Sequence, residues 1–169
     1  MKKKYCPECG HKLNNTCCEP KLILGDDLKV THYQNGDSIP LATSNEQFIE
    51  FGKKEIGCYS INDKGHYLYN WYAVDDNRGL SPKGWRIPTD EEWDKLEEQL
   101  KEKPTYAGYR SYNYGNYYYV GNNGYFWSST ELNSNDAWLR GLYYNNSDVS
   151  RYDGSKSYGF SVRCVKERK

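Results

Sequence analysis

Nowhere in the 169 residues do about eighteen apolar side chains stand together, and this excludes a hydrophobic helix that spans a membrane. The basic start, Met1-Lys2-Lys3-Lys4, has no apolar run behind it of the length a secretory signal requires, so a soluble, cytoplasmic protein is expected. An excess of charge is missing too. Lys plus Arg and Asp plus Glu number 23 each, so no global field draws the chain to nucleic acid or to an anionic membrane. No period of about 20 to 50 residues recurs, which excludes a repeat array. The mean hydropathy of −1.02 is low. Yet five Trp and eighteen Tyr supply large buriable area that disordered chains lack, and a single core fits the length.

Four of the six Cys crowd into residues 6–18, beginning with a Cys-Pro-Glu-Cys-Gly knuckle. In a cytoplasmic chain that pattern reads as metal rather than disulfide. Cys6 and Cys9, two residues apart within a Pro/Gly turn, suit one tetrahedral zinc ion. Cys17 and Cys18 are adjacent where a zinc ribbon wants a spacer, so one of them, with His11 or a partner chain, would complete the site. The expected organisation is a zinc-ribbon-like segment over residues 1–20, closed by Glu19-Pro20, and a main domain over residues 21–169.

Within the main domain, the alternating stretch from Leu28 to Pro40 predicts a strand that turns at Asn35-Gly36, a dipeptide suited to the positive φ angles of tight turns. Ser44 with Gln47, or Thr43 with Glu46, fits a capping box ahead of Phe48, Ile49 and Phe51. Thr89 with Glu92 repeats that signal, and Trp93, Leu96 and Leu100 follow at helical spacing, which predicts a helix over about 90–102. From Gly124 onward, short alternating runs separated by Asn, Asp, Ser and Gly clusters predict antiparallel strands. Two early helices and a strand-rich second half imply an α+β fold.

Residues 133–158 are unusual in composition, because 16 of these 26 are Asn, Ser, Asp or Tyr. Polar turns account for the Asn, Ser and Asp but not for the recurrent Tyr. Tyr is a rigid amphipathic anchor and Asn, Ser and Asp are adaptable hydrogen-bonders, the mixture found in antibody paratopes. The expected ligand-binding residues are Trp138, Arg140, Tyr143, Tyr144, Asn145, Asn146, Asp148, Ser150, Arg151, Tyr152, Asp153, Ser155, Ser157 and Tyr158. Trp138, facing away from Ala137 and Leu139, fits an anchor or a core residue equally. Another run, residues 106–125, holds eight Tyr. It reads first as structural paving and second as a neighbouring wall of the same surface.

The blocks Leu68–Val74, Pro82–Trp93, Gly124–Glu131 and Gly159–Val165, in that order, together resemble the Fibrobacter succinogenes major paralogous domain, a branch of the C-type-lectin-like proteins. The resemblance covers roughly residues 22–166. It implies a C-type-lectin-like fold, with two helices flanking a twisted antiparallel core and the terminal strands brought together. Trp71, Trp85, Trp93 and Trp127 lie in these blocks and are expected in the core, as are Phe160, Val162 and Cys164 on one face of the last strand.

The same resemblance extends to the variable proteins of diversity-generating retroelements, in which adenine-containing codons near the end of the gene are rewritten. Randomised asparagine codons yield Asn, Tyr, Ser, Asp, Arg and Gly among others, close to the mixture at 143–158, whereas Trp138 and Lys156 cannot arise in that way. The function so implied is non-enzymatic binding of an unknown protein or glycan, with no nucleic-acid or membrane partner. A fixed recognition module, or a structural component of a phage or cell-surface assembly, remains the alternative, and a phage particle an alternative location. The EPN, QPD and WND motifs of calcium-dependent sugar binding are missing, so no calcium is expected. Related formylglycine-generating enzymes use a cysteine pair with copper, but here the main domain has only Cys58 and Cys164, and Cys164 reads as a small core residue.

Overall fold

The computed structural model describes residues 21–168; Cys6, Cys9, His11, Cys17 and Cys18, and with them the expected zinc site, lie outside the described residues. The architecture is α+β. Strand β1 (Leu22–Asp27) pairs antiparallel with β9 (Arg163–Glu167), Leu22 opposite Glu167 and Asp27 opposite Arg163, so the two ends of the described chain meet in one ribbon. Between them run α1 (Asn45–Lys53), β2 (Tyr59–Ile61), β3 (Tyr67–Tyr69), α2 (Trp71–Val74), α3 (Asp90–Trp93), α4 (Glu97–Glu102), β4 (Tyr109–Arg110) and β5 (Tyr117–Tyr118). The largest sheet then follows, with β6 (Asn123–Glu131), β7 (Asp136–Tyr143) and β8 (Asn146–Ser155) in that order. None of the described helices is long and apolar enough to cross a membrane.

The helix starts follow their caps. Ser44 accepts from the Gln47 amide at the start of α1, and Thr89 and Glu92 satisfy each other's backbone amides at the start of α3. A further cap, Asn70, starts the single turn of α2. The helix expected over 90–102 is divided in two. Arg140 Nη2 donates to the Asp90 carbonyl at 2.8 Å and to Asp94 Oδ1 at 2.7 Å, diverting a carbonyl from the helical ladder. The turn tightens accordingly, with Lys95 and Leu96 amides bonding back only three residues, and α4 resumes beyond it. The expected strand before Asn35 is likewise reduced to one bridge, His32 with Ser38, around a turn in which Gly36 has a φ of 94°.

Three indoles hold the core. Trp127 Nε1 donates to the Tyr69 carbonyl at 2.9 Å, Trp71 Nε1 to the Ser128 carbonyl at 2.9 Å and Trp93 Nε1 to the Trp127 carbonyl at 3.3 Å. Each couples apolar burial to a satisfied backbone group, and truncating one to Ala would cost about 3–5 kcal/mol. Trp85 is only partly buried, with Lys166 Nζ over its ring at 4.6 Å. The segment Gly159-Phe160-Ser161 joins the layers by bridging to Arg110, Tyr69 and Phe126 in turn. Phe160, Val162 and Cys164 are buried as expected, but so are Ser161 and Arg163. Arg163 is held by Asp27 Oδ1 at 2.6 Å and the Lys103 carbonyl at 2.7 Å.

Arg140 fastens β7 to α3. Its side chain is fully buried, and Nη1 donates to Asp90 Oδ1 at 2.6 Å. Its Nε has only Glu97 Oε1, at 3.8 Å, too far for a hydrogen bond. Burial disfavours the Asp90 carboxylate, but the guanidiniums of Arg151 and Arg140 outweigh it and hold its pKa below the usual 3.8. A depressed folded pKa means the stabilisation is present above the unfolded pKa and lost as pH falls through the folded one. Asp90→Asn is therefore expected to flatten the acid limb of stability below about pH 4 in chemical denaturation. Asp90→Ala is expected to lower stability near neutral pH by about 3–5 kcal/mol, a loss under about 1 kcal/mol contradicting the role assigned to the pair.

Candidate functional site: a tyrosine groove on the C-terminal hairpin

The strands β7 and β8 form a hairpin closed by Tyr144-Asn145, with Tyr143 opposite Asn146. A two-residue loop usually needs positive φ, but neither residue has it; a register shift between Leu142 and Tyr143 accommodates the reversal. In an antiparallel pair opposed residues share a face, so the register sorts the hairpin into two sides. On one side Leu142 and Val149 pack with Trp93, Leu96, Leu100 and Phe126, beside Arg140 and Arg151. The other side carries Leu139, Gly141 and Tyr143 of β7, Tyr125 and Trp127 of β6, and Ser150 and Tyr152 of β8.

That second side opens into a groove of about 310 Å³, whose walls include Tyr109, Tyr119, Tyr125, Tyr143, Tyr152 and Tyr158 above Leu139 and Phe160. Phe160 is stacked on Tyr158 at 5.3 Å and tilted against Tyr125 at 5.5 Å. Tyr109 meets Tyr158 edge-on at 5.5 Å and Tyr125 at 5.7 Å, so the β4 tyrosine ties the hairpin side to the preceding loop. The Tyr143 hydroxyl donates to the Tyr152 hydroxyl at 2.8 Å, and Asn123 Nδ2 donates to the Tyr125 hydroxyl at 2.9 Å. Burial, together with the bond to Tyr152, pushes the Tyr143 phenol well above its ordinary pKa. Tyr152 lies across β7 because Gly141 has no side chain; a Cβ there would meet its Cε2 at 2.7 Å.

Of the residues expected to bind, Tyr143, Tyr152, Asp153 and Tyr158 line this groove. Tyr144, Asn145, Asn146 and Asp148 are exposed at the hairpin tip, and Ser150 is half-buried opposite Gly141. Ser155 and Ser157 lie half-buried at the base, Ser157 packed so closely against α1 that a Cβ on Gly52 would meet its Cβ at 2.9 Å. Arg140 is a correction: it is interior, where its pairing with Asp90 and Asp94 removes it from any surface. Trp138 belongs to the opposite side from the groove, with the Arg151 guanidinium stacked over its ring at 3.4 Å. Arg151 also donates to Asp90 Oδ2 at 2.7 Å.

Tyr109, Tyr119 and Tyr125 come from the run that reads first as structural paving, and they are three of the groove's six tyrosines. The eight-tyrosine count was the only sequence signal for them. Tyr119 stands out because its φ is 56°, a left-handed conformation that costs a non-glycine residue energy, while the residue stays 57% exposed. A larger depression of about 650 Å³ beside Trp85 is walled partly by Lys166, Glu167 and Arg168 near the end of the described chain. Cys58 and Cys164 sit in different core clusters, and burial pushes both thiols up to about 12. Among the described residues no three His, Cys, Asp or Glu are grouped to hold a metal ion.

The groove is expected to be adaptable at Tyr152, whose ring is the nearest obstacle to a side chain at position 141. Gly141→Ala should change stability by under about 1 kcal/mol while displacing the Tyr152 ring from Tyr143. Chemical denaturation and the ring resonances of Tyr143 and Tyr152 check the two halves of that expectation.

No curated protein and no solved structure matches the chain. Residues 24–107, which run from within β1 through α4 and end before the groove's tyrosines, match the Fibrobacter succinogenes major domain family, and the chain carries a domain of that family.

Proposed function

We propose that the protein is a non-enzymatic ligand-binding protein on a C-type-lectin-like scaffold, with a C-terminal surface diversified by a retroelement. One observation carries this reading: the two residues of the segment that adenine mutagenesis of Asn codons cannot yield, Trp138 and Lys156, are both held away from the groove. Tyr143, Tyr144, Asn145, Asn146, Asp148, Tyr152 and Asp153 are exposed or line the groove. The two exceptions are engaged in the framework. Lys156 is buried, ion-paired with Glu131, bonded to the Ser134 carbonyl at 3.0 Å and seated on the Trp71 ring at 4.8 Å. Trp138 lies on the side away from the groove, beneath Arg151.

Burial of both main-domain thiols supports the non-enzymatic reading, because a thiol with its pKa raised to about 12 is a poor nucleophile near neutral pH. The meeting of β1 and β9 and the bridging role of Gly159–Ser161 support the lectin-like scaffold. Sequencing the locus tests diversification. A near-copy of the DNA for roughly residues 130–165, differing mainly at adenines and lying beside a reverse-transcriptase gene, is expected; an intact locus with neither rejects it.

A fixed recognition module is favoured by one observation, that Tyr109, Tyr119 and Tyr125, half of the groove's tyrosines, lie outside the variable-looking segment. It would bind through the same tyrosines without being varied. The cysteines at positions 6, 9, 17 and 18 enter the proposal as a separate zinc unit. Metal analysis of freshly purified protein is expected to find zinc, and chelation to leave the thermal unfolding of the main domain unchanged. Absence of zinc, or a loss of main-domain stability on chelation, contradicts that arrangement.

A further inference from the structure

We propose that the tyrosine groove recognises an alkylated ammonium cation of the trimethylammonium class. This rests on the groove being the ligand site, and not on its diversification. The lining contains no Lys, Arg or His, and its one charged residue, Asp153, stands opposite Trp138 in the register, on the strand face turned away from the rings. Its rings meet near right angles: Tyr109 with Tyr158 at 87°, Tyr109 with Tyr125 at 79°, and Tyr125 with Tyr143 at 86°. Such corners let one cation lie against more than one ring, where the negative potential of the π faces attracts it. At about 310 Å³ the space suits a small group.

Elsewhere the chain supplies its own cations to aromatic faces: Arg78 to Tyr33, Arg151 to Trp138, Lys156 to Trp71 and Lys166 to Trp85. The groove's tyrosines are lined without one. Of the hydroxyls a sugar would call on, that of Tyr143 already donates to Tyr152 and that of Tyr125 already accepts from Asn123. What the groove offers is ring surface. Tyr119 adds an independent sign, since Gly or Asn would make its left-handed turn at lower cost, yet an exposed ring is held there 6.0 Å from Tyr109.

The test titrates choline and its uncharged isostere 3,3-dimethylbutan-1-ol into the full chain, reading the ring resonances of Tyr109, Tyr125 and Tyr158. Choline is expected to bind about tenfold more tightly than the alcohol. Tyr119→Asn should weaken choline binding several-fold while leaving the thermal midpoint unchanged or raised, and Tyr119→Phe should retain binding. Equal affinity for the two compounds, or no ring shift in about 10 mM choline, overturns the proposal. Choline binding at a locus without a template copy would sink the diversification reading alone, and a template copy without choline binding would sink this one alone.

Discussion

A guanidinium with no exposed surface sets the terms for this fold. Arg140 sits in the middle of β7, and its charge is tolerable only while Asp90 and Asp94 face it from the first turn after the Thr89 cap. That requirement fixes which side of the hairpin turns inward. A slip of one residue would send Arg140 to the groove and Leu139 and Gly141 toward the helices, reversing every side chain on the strand. The same contact divides α3 from α4, because the carbonyl that Arg140 takes from Asp90 would otherwise continue the helix. Arg151 extends the attachment to the edge strand through the same carboxylate.

Once that side is committed, the other side of the sheet is free to be a recognition surface. Leu139 and Phe160 give it a floor, Gly141 lets Tyr152 lie flat, and Gly159–Ser161 ties the floor to β3, β4 and β6. The groove thus stands on backbone that is bonded from several directions, while its rim is carried by exposed residues at the tip. A rigid support under replaceable contacts is the arrangement that a varied binding face needs. It also separates cost from use, since a change at Tyr144 or Asn145 disturbs no core contact, whereas a change at Arg140 takes from the Asp90 carboxylate one of its two guanidinium partners.

Features governed by local chemistry were legible from the residues. The Ser44 and Thr89 caps and the turn at Asn35-Gly36 follow from short-range patterns, while the family blocks pointed to the burial of Trp71, Trp93 and Trp127 and overreached at Trp85, which is only partly buried. Those governed by partners far along the chain were not. Asn146–Ser155 has only Val149 and Tyr152 as strong strand formers, and it is a strand because β7 offers it a ladder. Arg140 is the one charged side chain in the run Ala137–Leu142, where a strand would normally turn it to solvent, and only the carboxylates of α3, some fifty positions earlier, place it inside. Tyr109, Tyr119 and Tyr125 gave composition without geometry; their share in the groove depends on β4 and β6 meeting the hairpin.

A single hairpin is thus divided into framework and exposed rim. A library randomised codon by codon over residues 136–158 and sorted for soluble, folded protein reads the division position by position. The expected result is intolerance at Leu139, Arg140, Leu142 and Lys156, and broad tolerance at Tyr143, Tyr144, Asn145, Asn146, Asp148, Tyr152 and Asp153. Uniform tolerance across the segment, or intolerance concentrated at the tip and groove tyrosines, would contradict it.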